Sequence, residues 1–241
     1  MSLKKVKAGS NMYQGWITHT HSLLGGECSH KCQYCYVENP RFGRPERYKG
    51  TVRLIEKELT SNYGEGKTIF IEHMNDLFAS DVGDGVIMRV LEHCLKFPKN
   101  VYVFQTKNPE RYDTFIRRNL IPGGSILGTT IETNRDMSGV SKAPSAIERY
   151  KAMKALKFRK FVTVEPILQF DFKEFSTWLG EIKPEFLNIG ADSKGNNLVE
   201  PTYSEIVKLT DTLRKKYGIK IIEKHNMQRL IDKEKNNANP T

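Results

Sequence analysis

Between residues 50 and 226, short apolar runs alternate with longer stretches whose apolar residues recur at helical spacing. The runs are Thr68–Ile71, Val101–Phe104, Ile126–Ile131, Phe161–Val164, Phe186–Ile189 and Ile219–Ile222. Each is apolar on both faces, as expected of parallel strands covered by helices. Trp16-Ile17-Thr18 reads as one more strand upstream. Val86, Ile87, Val90, Leu91, Cys94 and Leu95 form one helical stripe. Ile147, Tyr150 and Met153 form another, opened by Pro144 and Ser145. Thr202 and Glu205 are spaced as a capping box before Ile206, Leu209 and Leu213. Seven strand–helix alternations predict an α/β fold. A closed eight-fold barrel takes about 250 residues, so the pattern predicts an open, partial parallel barrel with outer helices. One domain is expected over 1–231, followed by a polar tail over 232–241 that lacks apolar periodicity.

The runs end in polar residues, and ligands in parallel α/β folds sit beyond the carboxyl ends of the strands. Glu72, Glu132, Glu165 and Glu223 each follow a run, beside Asn75, Asp76, Lys107, Asn134, Asp192 and Lys224. One residue type at four strand ends predicts a shared polar cavity. Hydrophobic residues make up 38% of the chain and charged residues 27%, which places it among soluble globular proteins. No apolar run approaches the roughly 18 residues of a membrane span, and no signal peptide is legible. A cytoplasmic protein with no membrane partner is expected. The net charge of +10 suits a polyanionic partner or a merely Lys-rich surface. Arg41, Arg44, Arg47, Lys49 and Arg53 alternate with Phe42 and Tyr48, spacing that suits nucleotide phosphates and bases or a solvated linker.

Four cysteines in such a chain argue against a disulfide framework. Cys28, Cys32 and Cys35 stand as C-x3-C-x2-C on a loop after the first strand, which points to metal. Three thiolates can hold a four-iron cubane and leave one iron open. The competing reading is a structural zinc site with His30 or Cys94 as fourth ligand. Cys94 lies on a helical stripe, as a core residue would; to donate hydrogen to a substrate radical it must face the cavity.

C-x3-C-x2-C with an aromatic, here Tyr34, before the third cysteine resembles the signature of the radical S-adenosylmethionine (SAM) superfamily. The segments 69–78, 104–111, 127–134 and 164–168 resemble, in order, the patterns M-S-D-L-F, L-T-K-x-P-E-R, G-V-S-V-E-N and S-V-E-P-L of a radical SAM family common in bacteriophages and bacteria. Asn75 stands where that family has Ser, and Ile222-Glu223-Lys224-His225-Asn226 stands where it has F-K-Q-W-G. The resemblance implies a [4Fe–4S] cluster on Cys28, Cys32 and Cys35, reduced by a flavodoxin or ferredoxin. It also implies cleavage of SAM to a 5′-deoxyadenosyl radical that abstracts hydrogen from a substrate. Tyr34 and Tyr36 would lie near the adenine, Asn75 or Asp76 near the SAM amino group, and Glu132 and Asn134 near the ribose. Glu165 and Gly190 would line the adenine and methionine side. Lys107 and Lys224 are candidates to neutralise an anionic substrate or to act as general acid or base. The expected substrate is a nucleic acid base or nucleotide, in DNA modification or repair; a small molecule or a peptide is the alternative.

Overall fold

The computed structural model describes residues 3–7, 15–38, 45–193 and 195–238. β1 (Lys4–Lys5) pairs antiparallel with β2 (His19–His21) at one edge of a sheet. Six parallel strands follow in chain order: β5 (Thr68–Ile71), β6 (Val101–Thr106), β7 (Ile126–Thr130), β8 (Lys160–Val164), β9 (Phe186–Ile189) and β10 (Lys220–Glu223). Among the described residues the sheet has eight strands in the order β1-β2-β5-β6-β7-β8-β9-β10, with β1 and β10 at opposite ends. The barrel is therefore open, with seven parallel strands from β2 to β10. A small antiparallel pair, β3 (Leu24–Gly25) with β4 (Arg53–Leu54), brackets the cysteine loop.

Strand alternation sorts the side chains. Outward residues such as Ile69, Tyr102, Phe104, Leu127, Val162 and Leu187 pack with the helices in one large core. Phe70, Val103, Ile126 and Phe161 face inward and, with Ile17, plug the amino-terminal end of the barrel. Trp16 closes this plug edge-on against Phe161 and Phe186, with ring centroids 5.9 and 4.9 Å apart. That packing explains why the first strand starts at His19 rather than Trp16. The Thr18 hydroxyl bonds both backbone groups of Thr68 and leads the chain into the sheet.

Helices cover the outer face: α1 (Asp84–Leu95), α2 (Arg111–Arg117), α3 (Ala146–Ala155), α4 (Phe172–Ile182), α5 (Tyr203–Tyr217) and α6 (Gln228–Ala238). The Thr202–Glu205 capping box forms at α5, and Ser145–Glu148 makes a second at α3. On α3 the expected stripe is modified: Ile147 is exposed, and Arg149 is buried beside Tyr150 and Met153. The expected polar tail is helical through residue 238. Met227 and Leu230 anchor α6 in the core, and Glu234 accepts the otherwise open Ser204 N–H of α5 at 3.0 Å. So sparse an apolar face leaves little periodicity to read.

Candidate functional site

The cysteine loop leaves the sheet through Gly25-Gly26. Gly26 has φ +86°, and a Cβ there would lie 2.1 Å from the Thr51 carbonyl oxygen, so only glycine fits. Backbone bonds from Gly26 N to Arg47 O and from Glu27 N to Gly50 O, both 2.8 Å, fix the exit. The loop then folds over the carboxyl ends of the strands. Gln33 N reaches Val140 O at 2.9 Å, and His30 O accepts from Lys142 N at 2.7 Å. Cys28, Cys32 and Cys35 are free, partly exposed thiols that line one cavity of about 590 Å³. Cys32 Sγ lies 3.1 Å from Ser141 Oγ. Among the described residues no three His, Cys, Asp or Glu side chains are already gathered at metal-ligand distance.

The loop is pinned to the end of β5. His30 Nε2 lies 2.8 Å from Asp76 Oδ2, which also accepts Lys107 N–H at 2.8 Å. Asp76 Oδ1 accepts Phe78 N–H at 2.9 Å. Burial of Asp76 opposes its ionisation, but His30 and these donors outweigh burial and hold the carboxyl below its usual range. Asn75 donates to Gly26 O at 3.0 Å. Glu72 has a positive φ of 59°; its Oε1 accepts the N–H groups of Leu23 and Leu24. Burial pushes the Glu72 carboxyl up to about 8, the two N–H groups offsetting only part of that cost. All three residues line the cavity.

Beneath Tyr34 lies a buried ionic cluster. Glu132 Oε1 accepts from Tyr34 Oη and, at 2.6 Å, from Lys107 Nζ; its Oε2 accepts from Arg149 at 2.8 Å. Lys107 Nζ also reaches Tyr34 Oη at 2.8 Å and sits 5.1 Å from the Tyr34 ring centroid. Burial disfavours the Glu132 carboxylate, yet Arg149 and Lys107 together hold it well below the usual range. Sequence reading missed Arg149. Its signal is a cation set within an apolar helix face, and it doubles as a clamp on Thr130 O and Pro144 O.

A second ion pair forms across the ends of β8 and β10. Lys224 Nζ bonds Glu165 Oε2, and Asn226 donates to Glu165 Oε1 at 2.9 Å and to Ala191 O at 2.7 Å. A Cβ at Gly190 would lie 2.8 Å from Glu165 Oε1, so the glycine makes room for this carboxylate. Asn226 closes the segment Ile222 to Asn226 that departs from the family pattern, and sequence reading assigns it no role of its own. Tyr36 Oη donates to His73 O at 2.7 Å, holding its half-exposed ring at the cavity mouth. The cavity floor is polar: Gln105 donates to Thr130 Oγ1 at 2.9 Å, and Thr163 lies alongside. Asn188, the neighbour of Thr163 in register, is fully buried and its amide has no hydrogen-bond partner.

Four expectations change. Cys94 is fully buried in the helix-facing core, so it neither faces the cavity nor supplies a fourth metal ligand. Asn134 turns away, donating to Glu174 at 2.6 Å and accepting Asp171 N–H at 2.9 Å. Glu223 pairs outward with Arg214 at 3.0 Å. In the basic stretch, Arg47 bonds Glu58 and Leu24 O, Arg53 bonds Lys49 O and Thr51 O, and Lys49 pairs with Glu46. Arg41, Phe42 and Arg44 lie outside the described residues. No helix among those residues is long and apolar enough to cross a membrane.

Solved structures of spore photoproduct lyase share this fold. A cysteine-to-serine variant of that enzyme superposes with a TM-score of 0.63 at 12% identity, over 92% of this chain and 79% of its own. A tyrosine-to-phenylalanine variant gives 0.60 at 14%, over 90% and 80%. A doubly substituted variant with bound AdoMet and dinucleoside spore photoproduct gives 0.52 at 15%, over 83% of this chain and 62% of its own. No curated protein matches the sequence. The family model described as "Protein of unknown function (DUF5131)" matches residues 15–204, and the chain belongs to that family.

Proposed function

We propose that this protein is a radical SAM enzyme acting on a nucleotide or nucleic acid base. The observation that carries the reading is that three partly exposed thiols, spaced C-x3-C-x2-C, open onto the same cavity as the polar strand ends. That donor set fits a [4Fe–4S] cluster with one iron left open. When bound and reduced by a flavodoxin- or ferredoxin-type donor, the cluster supplies the electron that cleaves SAM to methionine and the 5′-deoxyadenosyl radical. The nucleotide substrate is supported by the dinucleoside ligand of the similar lyase structure and by the net charge of +10.

The residues of the chain divide the remaining work. Tyr34 and Tyr36 offer ring faces to an adenine. Asn75 and Asp76 hold the cysteine loop over the cavity, and they are the residues that would meet the SAM amino group. Glu132, braced by Arg149, orients Tyr34 and Lys107. Glu165 lines the cavity beside Lys224, and Gly190 behind it leaves room for its carboxylate; this is the side that would take the methionine part of SAM. Lys107 and Lys224 are the groups able to neutralise an anionic substrate or pass it a proton. The Trp16 and Phe161 plug packs across the opposite, amino-terminal end of the barrel.

Anaerobic reconstitution with iron and sulfide, then incubation with SAM and dithionite, tests the reading. The expected product is 5′-deoxyadenosine, lost in Cys28→Ala, Cys32→Ala and Cys35→Ala. Product formation by all three variants at the wild-type rate would sink it.

A further inference from the structure

The cavity does not end at Lys224. The next residue, His225, turns into a second, open groove of about 850 Å³ that shares Ser193 with the first cavity. Exposed His225, Gln228, Arg229, Lys233 and Asn236 line this groove along one side of α6. These side chains are nitrogen donors, the kinds that bind phosphodiester oxygens. The acid among them, Asp232, already accepts from Gln228 at 2.8 Å. Arg229 is held in place by Glu200 at 2.6 Å and by Asp192 O at 2.9 Å. Thus Arg229, paired with Glu200, is fixed against the backbone of the cavity-lining Asp192, and the exposed Lys233 lies one turn further along α6 in the same groove.

In the other basic stretch read from the sequence, the described cations are held by their own loop, and none of them lines the groove that meets the cavity. Arg47 and Arg53 bond backbone carbonyls of their own loop and its neighbours, and Lys49 is paired. Among the described residues, the α6 groove is a donor-lined surface that shares a lining residue with the cavity.

We infer that this groove is the docking track for a single nucleic acid strand, whose phosphates lie along His225, Arg229 and Lys233 while one base enters the barrel past Lys224. The inference rests on the nucleotide reading above and adds the location and form of the partner. A base reaches a cavity at strand ends either from a single strand or by flipping out of a duplex; the single strand is the form proposed for this groove, and the duplex is the competing outcome of the test. Cations along an open track give sequence-tolerant, salt-dependent binding.

The test is fluorescence anisotropy of the full chain with a labelled oligothymidylate strand of about a dozen nucleotides, across a salt series. Lys233→Glu is expected to weaken binding about tenfold and to lower the log–log salt slope by about one. Lys99→Glu, an exposed charge before β6 at the opposite end of the barrel, is expected to bind as wild type. Equal weakening by both substitutions, no effect of Lys233→Glu, or tighter binding to the corresponding duplex would each overturn the inference. Strand binding requires neither cluster nor SAM. A chain that cleaves SAM but ignores the strand overturns the groove alone. A chain that binds the strand as described but never cleaves SAM overturns the SAM chemistry and keeps the groove.

Discussion

Arg149→Met tests whether the ionic cluster under Tyr34 is the structural keystone that its geometry implies. The methionine keeps the volume and apolar contacts of the α3 face and removes the guanidinium. In the native chain Arg149 and Glu132 are 1% and 0% exposed. The substitution deletes hydrogen bonds to Glu132 Oε2 at 2.8 Å, Thr130 O at 2.5 Å and Pro144 O at 2.9 Å. Lys107 and the Tyr34 hydroxyl then face a fully buried carboxylate whose second oxygen has lost its Arg149 donor. Breaking a buried pair in this way costs about 3–5 kcal/mol. For a chain of this length that is a fall in Tm of roughly 6–20 °C. The pair is coupled, so Glu132→Gln combined with Arg149→Met should cost less than the sum of the two by about 1–3 kcal/mol. The pH dependence has a definite sign. The folded-state pKa of Glu132 is depressed, so its stabilisation is complete above the unfolded carboxylate range near pH ~4.3. It is lost as pH falls through the lower folded value. The gap between wild type and Arg149→Met should therefore narrow below about pH 4. Thermal and urea unfolding of the metal-free chain, followed by circular dichroism, measure all of this. A loss under about 1 kcal/mol, or strict additivity in the double variant, would refute the reasoning.

Three further outcomes are expected. Glu72 has its carboxyl raised to about 8, so the native state holds a proton that the unfolded chain releases from about pH 4.3 upward. Wild-type stability should fall from pH 5 to 8 relative to Glu72→Gln, which mimics the protonated acid, and level off above; parallel Tm–pH curves would contradict this. Gly26→Ala combines a positive φ with a backbone oxygen 2.1 Å from the new Cβ, so the Tm should drop, and iron uptake by the adjacent loop should drop with it; unchanged iron binding would count against the loop's role. Asn188→Leu removes a buried amide with no partner and should raise stability by about 1 kcal/mol; a loss of stability would show that the amide is satisfied by bound water.

Much of the fold was legible because the inward and outward faces of the strands are both apolar over most of their length. Six runs became β5 to β10 within a residue or two. The first strand was misplaced because Trp16, a good strand residue, is used for its ring area under the barrel. The β3–β4 pair was invisible, since two-residue strands carry no periodicity. Four Glu residues at strand ends pointed to one cavity; Glu72 and Glu165 line it, Glu132 is buried beneath Tyr34, and Glu223 leaves for Arg214. Arg149 and Asn226 were hidden because their roles depend on what lies across the barrel, and neither helical nor strand spacing reports that. Cys94 shows the reverse case: its helical stripe already marked it as core.

The central claim is that Cys28, Cys32 and Cys35 hold a cluster with one iron open to SAM. Electron paramagnetic resonance of the anaerobically reconstituted, dithionite-reduced chain, with and without SAM, tests it most directly. About four irons per chain and a signal that shifts when SAM is added are expected. A colourless chain carrying one zinc, or a cluster signal that SAM leaves unchanged, would contradict it.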